Sequence, residues 1–185
     1  INLVSFASGN GGIDRGWKFI LTVVDYFSRK CWLRGLKSQT AINVRNALIN
    51  IHGETKTWAR IVQADRGTEF LGETSELFKQ HNITYIKTLS YSPESNGLVE
   101  GTNKKVRKVL REIMIRTNSR NWYSHLQTTA NLLNTQRNGT TKQTPDSVWK
   151  QGHQLQGEQD QSIIRLHERR IINAIKNKHT TYILY

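Results

Sequence analysis

Two carboxylates, Asp65 and Glu100, stand 34 residues apart (66 to 99), each in a setting that invites chemistry. Asp65 closes a short apolar stretch, Ala59 to Ala64, and Arg66-Gly67 follows at once. In α/β sheets ligands bind beyond the carboxyl ends of strands. A carboxylate there, with a glycine two residues on, leaves space for a metal or a phosphate. The plainer reading is an aspartate that caps a turn. Glu100 stands near the start of a long helical pattern, with Lys104, Arg107, Lys108 and Arg111 on roughly its face. One helix therefore offers a carboxylate and then a row of cations. The plainer reading here is a solvated face supported by Glu–Lys pairs four residues apart.

The composition points the same way. Twenty-seven Lys and Arg against 14 Asp and Glu leave a net charge of +13 and a pI near 10.1. That balance favours a polyanionic partner, most often nucleic acid, with an anionic membrane surface the lesser option. Hydrophobic residues make up 36% of the 185, enough for a core, and the length is that of one domain with room for an appendage. The single cysteine, Cys31, excludes a disulfide framework and any CxxC zinc pair. No stretch approaches the ~20 apolar residues of a membrane span, so no membrane partner is expected. The chain opens on Ile1, not Met, and reads as a fragment of something longer.

Positioning those carboxylates falls to alternating elements. FILTVVDYF, residues 19–27, is a β-branched and aromatic run suited to a buried strand. Arg29-Lys30 turns the chain into a second strand from Cys31 to Lys37, making a hairpin. Thr40 is placed to cap a helix carrying Ile42, Val44, Ala47, Leu48 and Ile51, which Gly53 ends. A strand to Ala64, a helix over 73–81 and a strand from Ile83 to Lys87 follow. This order implies an α/β fold with at least one parallel pair. LSYSPESNG, residues 89–97, reads as a loop, and a long helix runs from Leu98 to about Asn118. Asn121 is placed to cap a helix with Trp122, Leu126, Ala130 and Leu133 inward. Pro145 starts a short helical turn ending at Trp149. Residues 1–150 thus form the core, 151–161 a Gln/Gly-rich linker, and 162–185 a basic amphipathic helical extension.

Taken together and in order, four segments resemble the catalytic core of retroviral-type integrases, the two-aspartate, one-glutamate superfamily. VVDYFSR (Val23 to Arg29) resembles its second strand, and DRGTEF (Asp65 to Phe70) its strand-end motif. SPESNGLVEGTNKKVRKVL (Ser92 to Leu110) is similar to its loop and catalytic helix, and TPDSVW (Thr144 to Trp149) to its closing segment. The wording is closer to Maverick/Polinton-type or retrotransposon integrases than to those of vertebrate retroviruses.

The resemblance implies an RNase H-like fold, a five-stranded mixed sheet flanked by helices. It implies two divalent metals held by three carboxylates. Phosphodiester attack needs a deprotonated oxygen nucleophile and a stabilised leaving oxygen, which two cations ~4 Å apart can clamp. Hard oxygen ligands select Mg²⁺ or Mn²⁺ over zinc. The family's first aspartate falls at Asn2, in INLVSF; Asp25 or Asp14 are the alternatives for that ligand. Asn2, Asp65 and Glu100 are accordingly the implied catalytic and metal-binding set, with low activity expected from the uncharged amide. Asn96 in the loop and Lys104, Arg107 and Lys108 on the helix are the implied DNA contacts; Glu69 and Tyr91 are lesser candidates.

The function implied is 3′-end trimming of viral or mobile-element DNA and its joining to target DNA. That is a polynucleotidyl transferase and endonuclease working in the nucleus of a eukaryotic host, as a homo-oligomer (dimer or higher). The alternative is a domesticated or decayed integrase that only binds DNA or protein. A third reading is an RNase H-type nuclease on the same fold.

Overall fold

Alternation of side chains along one strand decides the layering. The computed structural model describes residues 1–5, 16–64, 67–87, 93–139 and 141–157, with the side chains of residues 2, 4, 5, 93–96 and 153–157 outside that description. The strands are β1 (Asn2–Ser5), β2 (Phe19–Val24), β3 (Cys31–Leu36), β4 (Ile61–Ala64) and β5 (Thr84–Lys87). In β2, Leu21 packs into one apolar cluster while its neighbour Ile20 packs into another. Successive residues point to opposite faces of a sheet, so β2 is buried on both sides.

On one side lie α1 (Ala41–Thr55) and α2 (Gly72–Gln80), which bring Val44, Leu48, Leu77 and Phe78 to Leu21 and Leu36. On the other lie α3 (Pro93–Arg116) and α4 (Leu126–Thr135), which bring Val106, Leu110, Leu126 and Ala130 to Ile20 and Leu33. Trp122, fully buried just before α4, completes this second core. The result is a helix–sheet–helix sandwich, as the α/β reading expects.

The five strands form two hydrogen-bonded ladders among the described residues, where one five-stranded sheet was expected. β1, β2 and β3 are antiparallel in that order, and β4 pairs with β5 in parallel. The backbone nitrogen of Ile1 donates to the carbonyl of Gln63 at 2.7 Å, which brings the start of β1 against β4. Ile1 and Leu3 also pack on the cluster that holds Val62 and Ala64. The two ladders are therefore linked by one hydrogen bond and a shared apolar cluster, without a continuous five-stranded ladder among the described residues.

Local chemistry sets the boundaries. Asp25 Oδ2 accepts from the Ser28 amide and hydroxyl, each at 2.7 Å, which holds the β2–β3 turn and lets Arg29 take φ +66°. The Thr40 side chain accepts from the Asn43 amide and caps α1. That helix passes Gly53 and ends only at Lys56, in the left-handed region; an exposed glycine costs about 1 kcal/mol in a helix, too little to stop it. α3 starts at Pro93, inside the stretch expected to be loop, because proline's fixed φ suits the first helical position. α5 spans Pro145–Gly157 and so takes up the first seven residues of the expected linker, QGHQLQG, in which three Gln and a Leu favour helix against two Gly. The basic extension, 162–185, lies outside the described residues.

α5 is fastened to the hairpin. Lys30 Nζ pairs with Asp146 at 2.7 Å, and Trp149 meets Trp32 edge to face at 5.0 Å. The closing segment thus folds back on β3, the outer strand of its ladder. There Asn134 of α4 satisfies both backbone groups of Cys31, accepting from its N–H at 2.9 Å and donating to its carbonyl at 2.8 Å.

Candidate active site

α3 is read by its period. Positions 99, 103, 106 and 110 step by four, three and four, as do 100, 104, 107 and 111. The first set includes the buried Val106 and Leu110. The second is exposed throughout: Glu100, then Lys104, Arg107 and Arg111, with Lys108 beside them. At 1.5 Å per residue the cationic row extends about 16 Å from Glu100 to Arg111. The face division expected from the sequence is observed.

Glu100 makes no ion pair, although Lys104 stands one turn away; the ion pairs among the described residues are Lys30–Asp146 and Arg34–Glu54. The plainer reading of this face, a Glu–Lys pair across one turn, is therefore not what the helix contains. Among the described residues its leading carboxylate has no partner and is exposed, as are the cations beside it. Asn96 belongs to α3, where a loop was expected, and lies four residues before Glu100 on the same helical face.

The other implied ligands are placed by their strands. Asn2 begins β1 and pairs in register with Thr22 of β2. β4 ends at Ala64, immediately before Asp65; Asp65 itself, like Asp14 and Tyr91, lies outside the described residues. The Ile1–Gln63 hydrogen bond links the residue before Asn2 to a residue two before Asp65. Asp25 is occupied by the hairpin turn through its two bonds to Ser28. Its carboxylate serves the turn, which weighs against it as the third ligand.

Just past Asp65, Gly67 leaves room for the end of the flexible Glu69 side chain. Its φ of −61° suits any residue, but a Cβ would collide with the carboxylate of Glu69. Glu69 is buried and folded back over that glycine.

The donor set Asn2, Asp65 and Glu100 is all oxygen, which suits Mg²⁺ or Mn²⁺. No group of three or more His, Cys, Asp or Glu that could hold a metal is found among the described residues, a set without Asp65. Two further oxygens bear on the fit. Thr22 Oγ1 and Asn103 Oδ1 are buried and have no hydrogen-bond partner among the described residues. Such a group costs about 1–3 kcal/mol when left unsatisfied. Thr22 is the register partner of Asn2, and Asn103 is one turn beyond Glu100. Two buried polar atoms without a partner among the described residues thus stand at positions neighbouring two of the three implied ligands in register or sequence. Neither residue was singled out from sequence, although one signal existed: Asn103 is a polar residue in the apolar row Val99, Val106, Leu110.

The thiol of Cys31 is no nucleophile. Burial, then the nearby Asp146 carboxylate, push its pKa up from 9.0 to about 12. No helix among the described residues is long and apolar enough to cross a membrane.

No protein-family model matches this chain. The Pro-Pol polyprotein of feline foamy virus is 28% identical over 139 residues, covering 73% of this chain and 12% of the relative. The retrovirus-related Pol polyprotein from transposon TNT 1-94 of Nicotiana tabacum is 29% identical over 144 residues, covering 72% and 10%. The chain therefore spans about a tenth of the length of these relatives. Among solved structures, the HTLV-2 integrase catalytic core domain in complex with magnesium, in a trimeric form, superposes with a TM-score of 0.66 at 16% identity. It matches over 79% of this chain and 90% of its own. The BIV integrase catalytic core gives 0.65 at 18% identity, over 84% and 95%. At these identities the likeness establishes the fold, that of a retroviral integrase catalytic core with its RNase H-like architecture.

Proposed function

We propose that this integrase-type core processes the 3′ ends of viral or mobile-element DNA and joins them to target DNA. The observation that carries the reading is Glu100: an unpaired carboxylate heading a row of exposed cations on one face of α3. A Glu on a merely solvated helix gains a few tenths of a kcal/mol by pairing with a Lys four residues on. A Glu that serves a cation is better left unpaired.

Asn2, Asp65 and Glu100 are the residues that hold the divalent cations, Mg²⁺ or Mn²⁺. When bound, such cations supply charge to the attacking and leaving oxygens of an in-line displacement. The chain's own residues do the rest. Lys104, Arg107 and Lys108 neutralise backbone phosphates and fix the register of the DNA end on α3. Asn96, on Glu100's face, contacts the DNA near the reacting phosphate. The Asp25–Ser28 turn and the Asn134 bridge to Cys31 hold the ladder against which α3 packs. Asn2 is neutral where the family's pattern has an aspartate, so the chain as it stands binds cations weakly and turns over slowly. It works as a homo-oligomer in the nucleus of a eukaryotic host, residues 1–150 forming the core and 162–185 a basic extension. The test is strand transfer on an oligonucleotide DNA end with Mn²⁺, using the chain and its Asn2→Asp variant. Joined product from the variant, lost on Glu100→Gln, supports the reading; no product from either refutes it.

A second reading is favoured by Asn2 itself: a non-catalytic module, from a domesticated or decayed integrase, that binds DNA through the same cationic row. It predicts DNA binding that Lys104→Glu weakens, with no activity revived by Asn2→Asp.

A further inference from the structure

β3 is the outer strand of its ladder, so among the described residues one of its edges has no strand beside it. The amide of Asp25 donates to the carbonyl of Lys30 at 2.8 Å, so Lys30 turns its backbone toward β2. Backbone groups alternate in direction along an antiparallel strand, and Cys31, Leu33 and Gly35 therefore turn theirs away from β2. At Cys31 the side-chain amide of Asn134 takes both groups, at 2.9 and 2.8 Å, as one residue of a further antiparallel strand does. At Leu33 the carbonyl accepts from Arg34 Nη1 at 2.9 Å. That guanidinium is anchored on α1, where its Nε donates to Asn50 Oδ1 at 2.7 Å and its Nη2 pairs with Glu54. At Gly35 the ring of Tyr123, just before α4, lies so close that a Cβ would collide with it. Open space adjoins the same edge. A cavity of about 200 Å³ is lined by Cys31, Trp32 and Arg34 of β3, Asn131 and Asn134 of α4 and Trp149 of α5.

We propose that Asn134 and Arg34 guard this edge: they occupy both backbone groups of Cys31 and the carbonyl of Leu33, and so keep β3 from pairing with the same strand of a second copy. An outer strand with unpaired N–H and C=O groups is a template for another chain. With space beside it, β3 is such a template unless its groups are taken. A carboxamide suits the task because it carries an acceptor and a donor in one plane, the pattern of a peptide unit. A side chain with only one of the two leaves half of Cys31 open. The guards act from different elements, Asn134 from α4 and Arg34 through its anchors on α1, so the loss of one leaves the other in place. Neither belongs to the proposed cation or DNA-binding set, so the guard holds whatever the chemistry on α3. Were Asn134 only a brace between α4 and β3, its loss would lower stability alone. As a guard, its loss also opens a strand edge to association.

The experiment compares the full chain with Asn134→Ala and with Val106→Ala, which opens a cavity in the second core and leaves the edge guarded. Sedimentation velocity over a concentration series reads assembly, circular dichroism checks folding, and residue-resolved amide hydrogen exchange reads the edge. Asn134→Ala should form larger species as its concentration rises, while Val106→Ala keeps the assembly state of the parent chain. At low concentration the Cys31 amide of Asn134→Ala should exchange about tenfold faster than in the parent, the worth of one hydrogen bond. In the larger species that amide should regain protection, because a second strand now holds it. A folded Asn134→Ala that matches the parent's assembly at every concentration overturns the inference. So does assembly in which the Cys31 amide stays unprotected, and so does equal assembly of Val106→Ala, since both trace the effect to general destabilisation. Should Asn134→Ala not fold, Arg34→Ala, which frees the Leu33 carbonyl, decides alone. Concentration-dependent assembly with protection of the Leu33 amide supports the guard, and assembly unchanged from the parent refutes it.

Discussion

The backbone nitrogen of Ile1 donates to the carbonyl oxygen of Gln63, 62 residues along the chain, at 2.7 Å. The bond sets the first residue before β1 against the third residue of β4. Asn2 is the next residue on one strand, and Asp65 follows the end of the other. The chain neighbours of Asn2 and Asp65 thus meet where the start of β1 borders β4, at one edge between the ladders.

Asn2→Asp should create a stronger cation site at that edge. A neutral amide oxygen is replaced by a charged carboxylate, so Mn²⁺ affinity is expected to rise by at least tenfold in calorimetric titration. Unaltered affinity removes position 2 from the site.

Lys104→Glu should weaken binding to a short duplex DNA end and flatten its salt dependence. Each phosphate that the protein no longer neutralises lowers the slope of log K against log salt by about 0.9. Fluorescence anisotropy across a salt series measures both quantities. Equal affinities at low salt for the chain and the variant place the DNA on another face.

Asn134→Ala should destabilise the fold without touching the cationic face. It strips the Cys31 N–H and carbonyl of their α4 partner at the outer edge of the ladder. Two buried backbone groups left unsatisfied cost about 2–6 kcal/mol. Urea denaturation reads the loss, and a change within about 0.5 kcal/mol, the range of an ordinary surface substitution, shows the bridge to be incidental.

Cys31 predicts an alkaline limit. Its thiol titrates near 9.0 when unfolded but is raised to about 12 in the fold, mainly by burial. Below pH 9 both states keep the proton and its stabilising effect is fully present. Between pH 9 and 12 the unfolded chain releases the proton and the native one does not. This group then removes about 1.4 kcal/mol of stability per pH unit. Urea midpoints from pH 8 to 11 should therefore fall more steeply for the chain than for Cys31→Val. Parallel curves contradict the shift.

What the amino-acid sequence determined by itself is whatever depends on neighbours a few residues apart. The period of α3, with Val106 and Leu110 inward and Lys104 and Arg107 outward, is a matter of 3.6 residues per turn. The Thr40 cap, the β2–β3 hairpin and the charge of the exposed α3 face are equally local. Element ends were less legible. Gly53 and the stretch Pro93 to Asn96 read as breaks, yet helix continues through both, because packing of α1 and α3 outweighs the small propensity penalty of single residues.

The tertiary structure alone decided which distant groups meet. Nothing in the spacing of Ile1 and Gln63, or of Cys31 and Asn134, announces a hydrogen bond, since the chain between them sets no period. The same holds for Thr22 and Asn103, two ordinary polar residues until β2 and α3 close over them and leave their oxygens without a protein partner among the described residues. Burial is a property of the packed sandwich, and a polar atom acquires its need for a partner only when water is excluded from it.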